Sequence, residues 1–235
     1  MKLSLFLPLL FIGFILFLSC DIQTFSGPIT EEVRSADPYE AVHLKGAMNV
    51  VLDPSLDNEV RISAPEDAMS HIVTEVKGGE LVIDLDVNAI VQDNITITIA
   101  EDELNEVRIS GSGNFKGELE PVRKLDLRVS GSGDINVEVD TESLMVGVAG
   151  SGDVRCEGKS DLVKVSVDGS GDVDLEFLEV QEAVASVSGS GDIKLNVSKS
   201  LKANVSGSGD ISYKGNPEQV DKNVSGSGDV TSLKP

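Results

Sequence analysis

Six aspartates, Asp134, Asp153, Asp172, Asp192, Asp210 and Asp229, each follow a Gly-Ser-Gly and recur every 18 to 20 residues. Carboxylates coordinate hard cations, exchange protons in glycoside cleavage, and accept hydrogen bonds from hydroxyls or amides. A row of identical ones suits the first and last of these roles better than the second. Acid–base catalysis needs groups whose surroundings push their protonation apart, and a repeat supplies the same group in the same setting each time. Other reactive side chains are few: His43 and His71 are the only imidazoles, and Cys20 and Cys156 the only thiols. Nothing has the spacing of a nucleophile elbow, a zinc-binding helix or a phosphate loop. The expectation is a protein that is not an enzyme, with no catalytic residue and no firm metal site.

A repeat positions those aspartates. The first glycine of each Gly-Ser-Gly is Gly111, Gly131, Gly150, Gly169, Gly189, Gly207 or Gly226, with gaps of 20, 19, 19, 20, 18 and 19 residues. Seven copies near one period read as a solenoid-type array. In "LDLRVSGSGDINVEV", Leu125, Leu127, Val129, Ile135, Val137, Val139 and both glycines are odd-numbered, whereas Ser130, Ser132 and Asp134 are even. Val163, Val165, Val167, Gly169, Gly171, Val173, Leu175 and Phe177 follow the same rule. Side chains alternate across a strand, so the apolar set and the glycines keep one face while Ser and Asp take the other.

That parity bears on architecture. A two-residue hairpin at each glycine pair would flip it, whereas a chain that bends and winds forward preserves it. The expectation is an all-β fold: a right-handed parallel β-helix of about 19 residues per rung, with rungs stacked roughly 4.8 Å apart. Antiparallel sheets joined by odd-length loops are the alternative. In the coil the glycines are inward corners and the aspartates an outward stripe. Cys156 shares parity with Val146, Val148 and Val154, which makes it a small core residue.

Stacked carboxylates about 5 Å apart repel by roughly 1 kcal/mol in bulk water. A weak cation or ligand ladder, taking Ca2+ along the stripe, would relieve this. The plainer reading is that these side chains are solvated and hydrogen-bond amides of the turn.

The N-terminal half is less regular but related. "VHLKGAMNVVL", Val42 to Leu52, aligns with "LRVSGSGDINV" so that Gly46 replaces the first repeat glycine and Asn49 the aspartate. Downstream, Glu66-Asp67-Ala68-Met69 reads as a polar or single helical turn, and Gly78-Gly79 divides a hairpin. "NITITIA" is a further strand, and "ELNEVRISGSGN" enters the regular array. This half is either a degenerate cap on the same solenoid or a separate small β-domain.

Before the fold comes an address. Lys2 and an apolar run from Leu3 to Leu18 precede Ser19-Cys20-Asp21, which has the charge, length and exit of a secretory signal. "FLSC" resembles a loose bacterial lipobox, with Phe17 where Leu is usual; acylation of Cys20 would anchor the chain, each buried methylene contributing about 0.8 kcal/mol. The expected organisation is a signal peptide over 1–19, a tether over 20–38, an irregular β half over 39–105 and the repeat array over 106–235. Forty Asp and Glu against 19 Lys and Arg would repel nucleic acid.

The chain resembles the bacterial head GIN domain family, described as auto-transporter adhesins and common as exported lipoproteins of Bacteroidetes-type bacteria. "AVHLKGAMNVVL", "GELVIDL", "ITITIAEDELNEVRISGSGN" and the later Ser-Gly-Ser-Gly-Asp copies carry the resemblance, from about Tyr39 to Asp229. It implies a β-helical extracytoplasmic protein. The functional expectation is a membrane-anchored adhesin or binding module, held by lipid at the outer membrane or cell surface and contacting a glycan or protein there. A cell-envelope scaffold that self-associates through an uncovered end is the alternative, and a polysaccharide-active β-helix enzyme is a more distant one. The sequence leaves the ligand and the oligomeric state open.

Overall fold

The computed structural model describes residues 23–87, 89–90, 95–100 and 103–233. Val-, Ile- and Leu-rich alternation, broken only by turn residues, produces strands almost throughout. The longest are Ile135–Gly150, Val154–Gly169, Val173–Gly189 and Ile193–Gly207. Each starts after a Gly-Ser-Gly-Asp, passes a second turn midway, and ends on the first glycine of the next copy. Successive strands pair in parallel, with Gly111, Gly131, Gly150, Gly169, Gly189, Gly207 and Gly226 aligned one above another. The chain therefore winds forward as a β-solenoid of two walls joined by two turns per rung.

Steric contact explains why the glycine turn does not vary. The carbonyl of Gly111 accepts N–H groups from both Ser132 and Gly133, at 2.8 and 3.0 Å, and every later copy repeats this pair. A Cβ on Gly133 would lie 2.2 Å from the Gly113 carbonyl oxygen, and one on Gly131, whose φ is +132°, would lie 2.3 Å from that of Gly111. The glycines do occupy a corner, and these contacts supply its reason. The missing space lies along the stacking direction, against the backbone of the rung beneath, and only glycine permits so close an approach.

The second turn behaves differently. Parity changes at this turn, where the buried Thr141 is followed by the buried Leu144, and the rungs change length on this side. Arg155 pairs with Asp174 but Glu157 with Phe177, so one extra residue bulges from the later strand. Phe177 is consequently 56% exposed, while Leu178 takes the buried place. The expectation that Phe177 faces the core is overturned by this single-residue bulge. In the next rung Leu175 pairs with Leu195 but Glu179 with Asn196, which again absorbs a change in length.

The N-terminal half is the start of the same coil. Ala41–Gly46 pairs in parallel with Glu106–Gly111, bringing Gly46 beside Gly111, and Asn49 pairs with Asn114. One continuous core cluster runs from Phe25 to Val230. Glu80–Leu85 and Thr96–Ala100 still pair in parallel with Ala41–Gly46 and Asn49–Asp53, and only beyond them does the pairing turn antiparallel: Ile72–Lys77 closes the expected hairpin with Glu80–Leu85 on one wall, and Glu59–Pro65 lies against Thr96–Ala100 on the other. A helical turn, Glu66–Met69, links the walls. The tether reading of 20–38 also needs correction, because Ile29–Ser35 pairs with Glu59–Pro65 as the edge strand and Phe25 is buried.

Candidate functional site

The six aspartates form a ladder held by backbone. The N–H of Asp153 donates to Asp134 Oδ1 at 2.9 Å, and Asp172, Asp192, Asp210 and Asp229 each donate to the preceding aspartate at 2.7 to 2.8 Å. Each carboxylate thus accepts an amide from the next rung, a charge-assisted bond that offsets repulsion along the column. Asp229, with no successor, folds onto its own strand and accepts the Val230 N–H at 2.7 Å. Among the described residues no cluster of three or more His, Cys, Asp or Glu side chains is arranged to hold a metal ion.

Beside the ladder the outward residues cease to repeat. Asn136, Arg155, Asp174 and Lys194 follow one another in register on successive strands. With Asp134, Asp153, Asp172 and Asp192 they line a shallow groove of about 350 Å³. Next along this wall the bulge presents Phe177. The Arg155 guanidinium lies 5.3 Å and the Lys214 ammonium 5.9 Å from the ring centre. Glu157 pairs with Arg155 at 3.2 Å, and Glu176 pairs with Lys214, which holds the Glu176 carboxyl below the usual range. A partly exposed ring between two cations, each with a carboxylate neighbour, gives this wall apolar area, hydrogen-bond donors and acceptors, and little local net charge. Sequence parity placed Phe177 on the wrong face, so nothing pointed to this cluster beforehand.

A second arrangement lies on the opposite wall. His43 Nε2 is 2.9 Å from Ser110 Oγ, and its Nδ1 is 3.9 Å from Glu80 Oε1. Burial pushes the His43 imidazole below its ordinary value, against the pull of Glu80. Although the residue types are those of a hydrolase triad, Glu80 is also engaged by Arg108 at 3.4 Å. The strand carrying Ser110 is paired on both sides, to Ala41–Gly46 and to Val122–Gly131, so its amides are committed to the sheet. Acyl transfer requires free N–H donors aimed at an oxyanion and a well-oriented base. Here Glu80, at 3.9 Å, is beyond hydrogen-bond reach of His43, and the strand of Ser110 is paired on both sides. His71, the other imidazole, donates from Nδ1 to Asp86 Oδ1 at 2.8 Å and stacks on Phe25 at 5.8 Å.

Cys156 is completely buried, and burial pushes its thiol up to about 12, which makes it an inert core residue. Cys20, the proposed point of acylation, lies outside the described residues. Among those that are described, no helix is long and apolar enough to cross a membrane.

This geometry has relatives. A crystal structure described as a "putative adhesin" from Bacteroides fragilis NCTC 9343 superposes with a TM-score of 0.82 at 24% identity, covering 89% of this chain and 99% of the other. One described as a "putative lipid binding protein" from Parabacteroides distasonis ATCC 8503 gives 0.75 at 23%, covering 89% and 98%. A "putative adhesin" from Parabacteroides merdae ATCC 43184 gives 0.73 at 22%, again covering 89% and 98%. At these identities the likeness is one of fold. No curated protein matches the chain significantly. The family described as "Putative auto-transporter adhesin, head GIN domain" matches residues 38–217, and the chain belongs to it.

Proposed function

We propose that this protein is a non-enzymatic adhesion module, anchored through acylated Cys20 outside the cytoplasm, that contacts a glycan or protein surface with the wall carrying Phe177. The observation behind this reading is the break in repetition beside the aspartate ladder. Repeated groups are consumed in stacking one rung on the next. Unlike groups, Asn136, Arg155, Asp174, Lys194 and the outturned Phe177, are left for recognition. Aromatic and Arg side chains presented together are the usual anchors of a binding surface. Family membership supports adhesion, and the description of one structural relative as lipid-binding is compatible with a partner at a membrane surface.

The reading requires no cofactor, and millimolar calcium is expected to leave the melting temperature unchanged because the ladder carboxylates already accept amides. The scaffold alternative calls for an open end, and both ends of this coil are crossed by a cation. The test is a glycan and host-matrix array probed with residues 21–235, comparing the wild type with F177A and R155A. Loss of signal in both variants, with unchanged melting, supports the assignment. Undiminished binding by both would place recognition elsewhere.

A further inference from the structure

A parallel coil leaves two edges on which another coil could stack, and such edges must be covered or made unattractive. Here each terminal strand carries one long cation in a column that is apolar beneath it. At the N-terminal end, Thr30, Glu32 and Arg34 pair with the buried Ala64, Ile62 and Val60, so Arg34 faces inward. Its Nε pairs with Glu32 Oε1 at 2.6 Å, its Nη1 donates to the Ile72 carbonyl at 2.6 Å and to Thr74 Oγ1 at 3.1 Å, and its Nη2 donates to the Met69 carbonyl at 3.1 Å, so this end is capped by a charged pair. The guanidinium therefore bridges from one wall to the segment leading into the other.

The C-terminal end repeats the device with different parts. Val220, Lys222 and Val224 pair with the buried Leu201, Ala203 and Val205. Lys222 is thus the last member of an inward column whose other members include Leu127, Val146, Val165, Ala185 and Ala203. Its ammonium lies 5.3 Å from the Tyr213 ring centre and donates to the Val230 carbonyl on the facing wall at 2.7 Å. A second coil stacked here would strip water from that ammonium without supplying a counterion.

We propose that Arg34 and Lys222 are end stops that prevent a second copy of this chain from stacking on the coil. The N-terminal stop is backed by the helical turn and the hairpin. The C-terminal stop rests on Lys222, beside a Val224 that is 44% exposed. Removing the charge at 222 leaves an apolar row on an unpaired strand edge, and two such edges pair about a two-fold axis. Because Arg34 still blocks the other end, the product is a closed dimer and not a filament.

Among the described residues the core runs from Phe25 to Val230, and residues 21–235 contain all of it. Analytical ultracentrifugation of that chain over a wide concentration range is expected to give the monomer mass for wild type and K222R, and twice that mass for K222V. A folded K222V that stays monomeric overturns the proposal, as does a wild type that dimerises or a K222V that grows beyond the dimer. Circular dichroism reports whether the variant is folded. If K222V loses cooperative melting, K222M, which keeps the length of the chain, carries the same test with the same criteria.

Discussion

The two turns of each rung follow opposite rules. At the glycine turn, Gly, Ser, Gly and Asp recur in register, and the two glycines and the aspartate have contacts that fix their type: a Cβ on either glycine would meet the carbonyl of the rung beneath, and the carboxylate accepts the next rung's amide. At the second turn the residues share little. Asp140, Thr141 and Glu142 are followed one rung later by Lys159, Ser160 and Asp161, with Thr141 and Ser160 hydrogen-bonding carbonyls of their own strand. The register also shifts on this side, around Phe177 and Glu179. One turn is the joint that makes stacking possible, and the other takes up differences in length. In a repeat protein, sameness therefore marks structure, and the place to look for function is where sameness stops.

The largest test of that contrast is a one-residue insertion. Placed between Ser170 and Gly171, it should abolish the cooperative melt, a loss of more than about 4 kcal/mol, because it displaces the Gly171 N–H from the Gly150 carbonyl and puts a bulkier backbone against the rung beneath. Placed between Asp161 and Leu162, it should lower stability by only about 1 kcal/mol. Thermal denaturation followed by circular dichroism separates the two.

Single glycines give a smaller version. A Cβ on Gly152 would sit 2.0 Å from the Gly133 carbonyl oxygen, whereas one on Gly147, in the middle of a wall, meets nothing closer than 3.9 Å. G152A is expected to cost about 3 kcal/mol, and G147A to be neutral or stabilising by up to roughly 0.5 kcal/mol. Chemical denaturation measures both.

Among the carboxylates, D172A should cost about 1 kcal/mol by orphaning the Asp192 amide. D172N keeps an acceptor while removing a charge, and should be closer to wild type. D161A, at the second turn, should change stability by less than about 0.5 kcal/mol. A larger loss from D161A than from D172A would reverse the assignment of the two turns.

The least of these effects concerns pH. Because burial depresses the His43 imidazole in the folded protein, the unfolded chain binds its proton more readily. The resulting stability is complete above the ordinary histidine value and declines as pH falls through it toward the folded value. H43Q should flatten that part of the stability profile between neutral and mildly acid pH, while leaving both turns untouched.

Much of this organisation was legible in the sequence, for a physical reason. The alternation of Val129, Gly131, Gly133 and Ile135 reports the face of a strand directly, and the spacing of the glycines reports the circumference of the coil. The alignment of Gly46 with the repeat likewise identified the first rung. What escaped notice depended on one residue or on distant partners. The extra residue that turns Phe177 outward changes parity without leaving a turn signal. Arg34 read as part of a tether because its strand partner lies in Glu59–Pro65. His43 meets a serine that is 67 positions away in the chain. Lys222 did leave a trace, since "VDKNVSGSGD" puts a charge where earlier copies have an aliphatic side chain.

The glycine joint has a consequence for how such a chain can lengthen. Every Gly-Ser-Gly both receives the copy before it and offers the same seat to the copy after it, so an internal coil is interchangeable with its neighbours. Tandem duplication or excision of a whole turn of sequence would preserve each seat, whereas gain or loss of any other length at the joint would not. The protein's reach can therefore evolve in integral steps, much as a ladder is extended by adding rungs, while its two termini remain as they are.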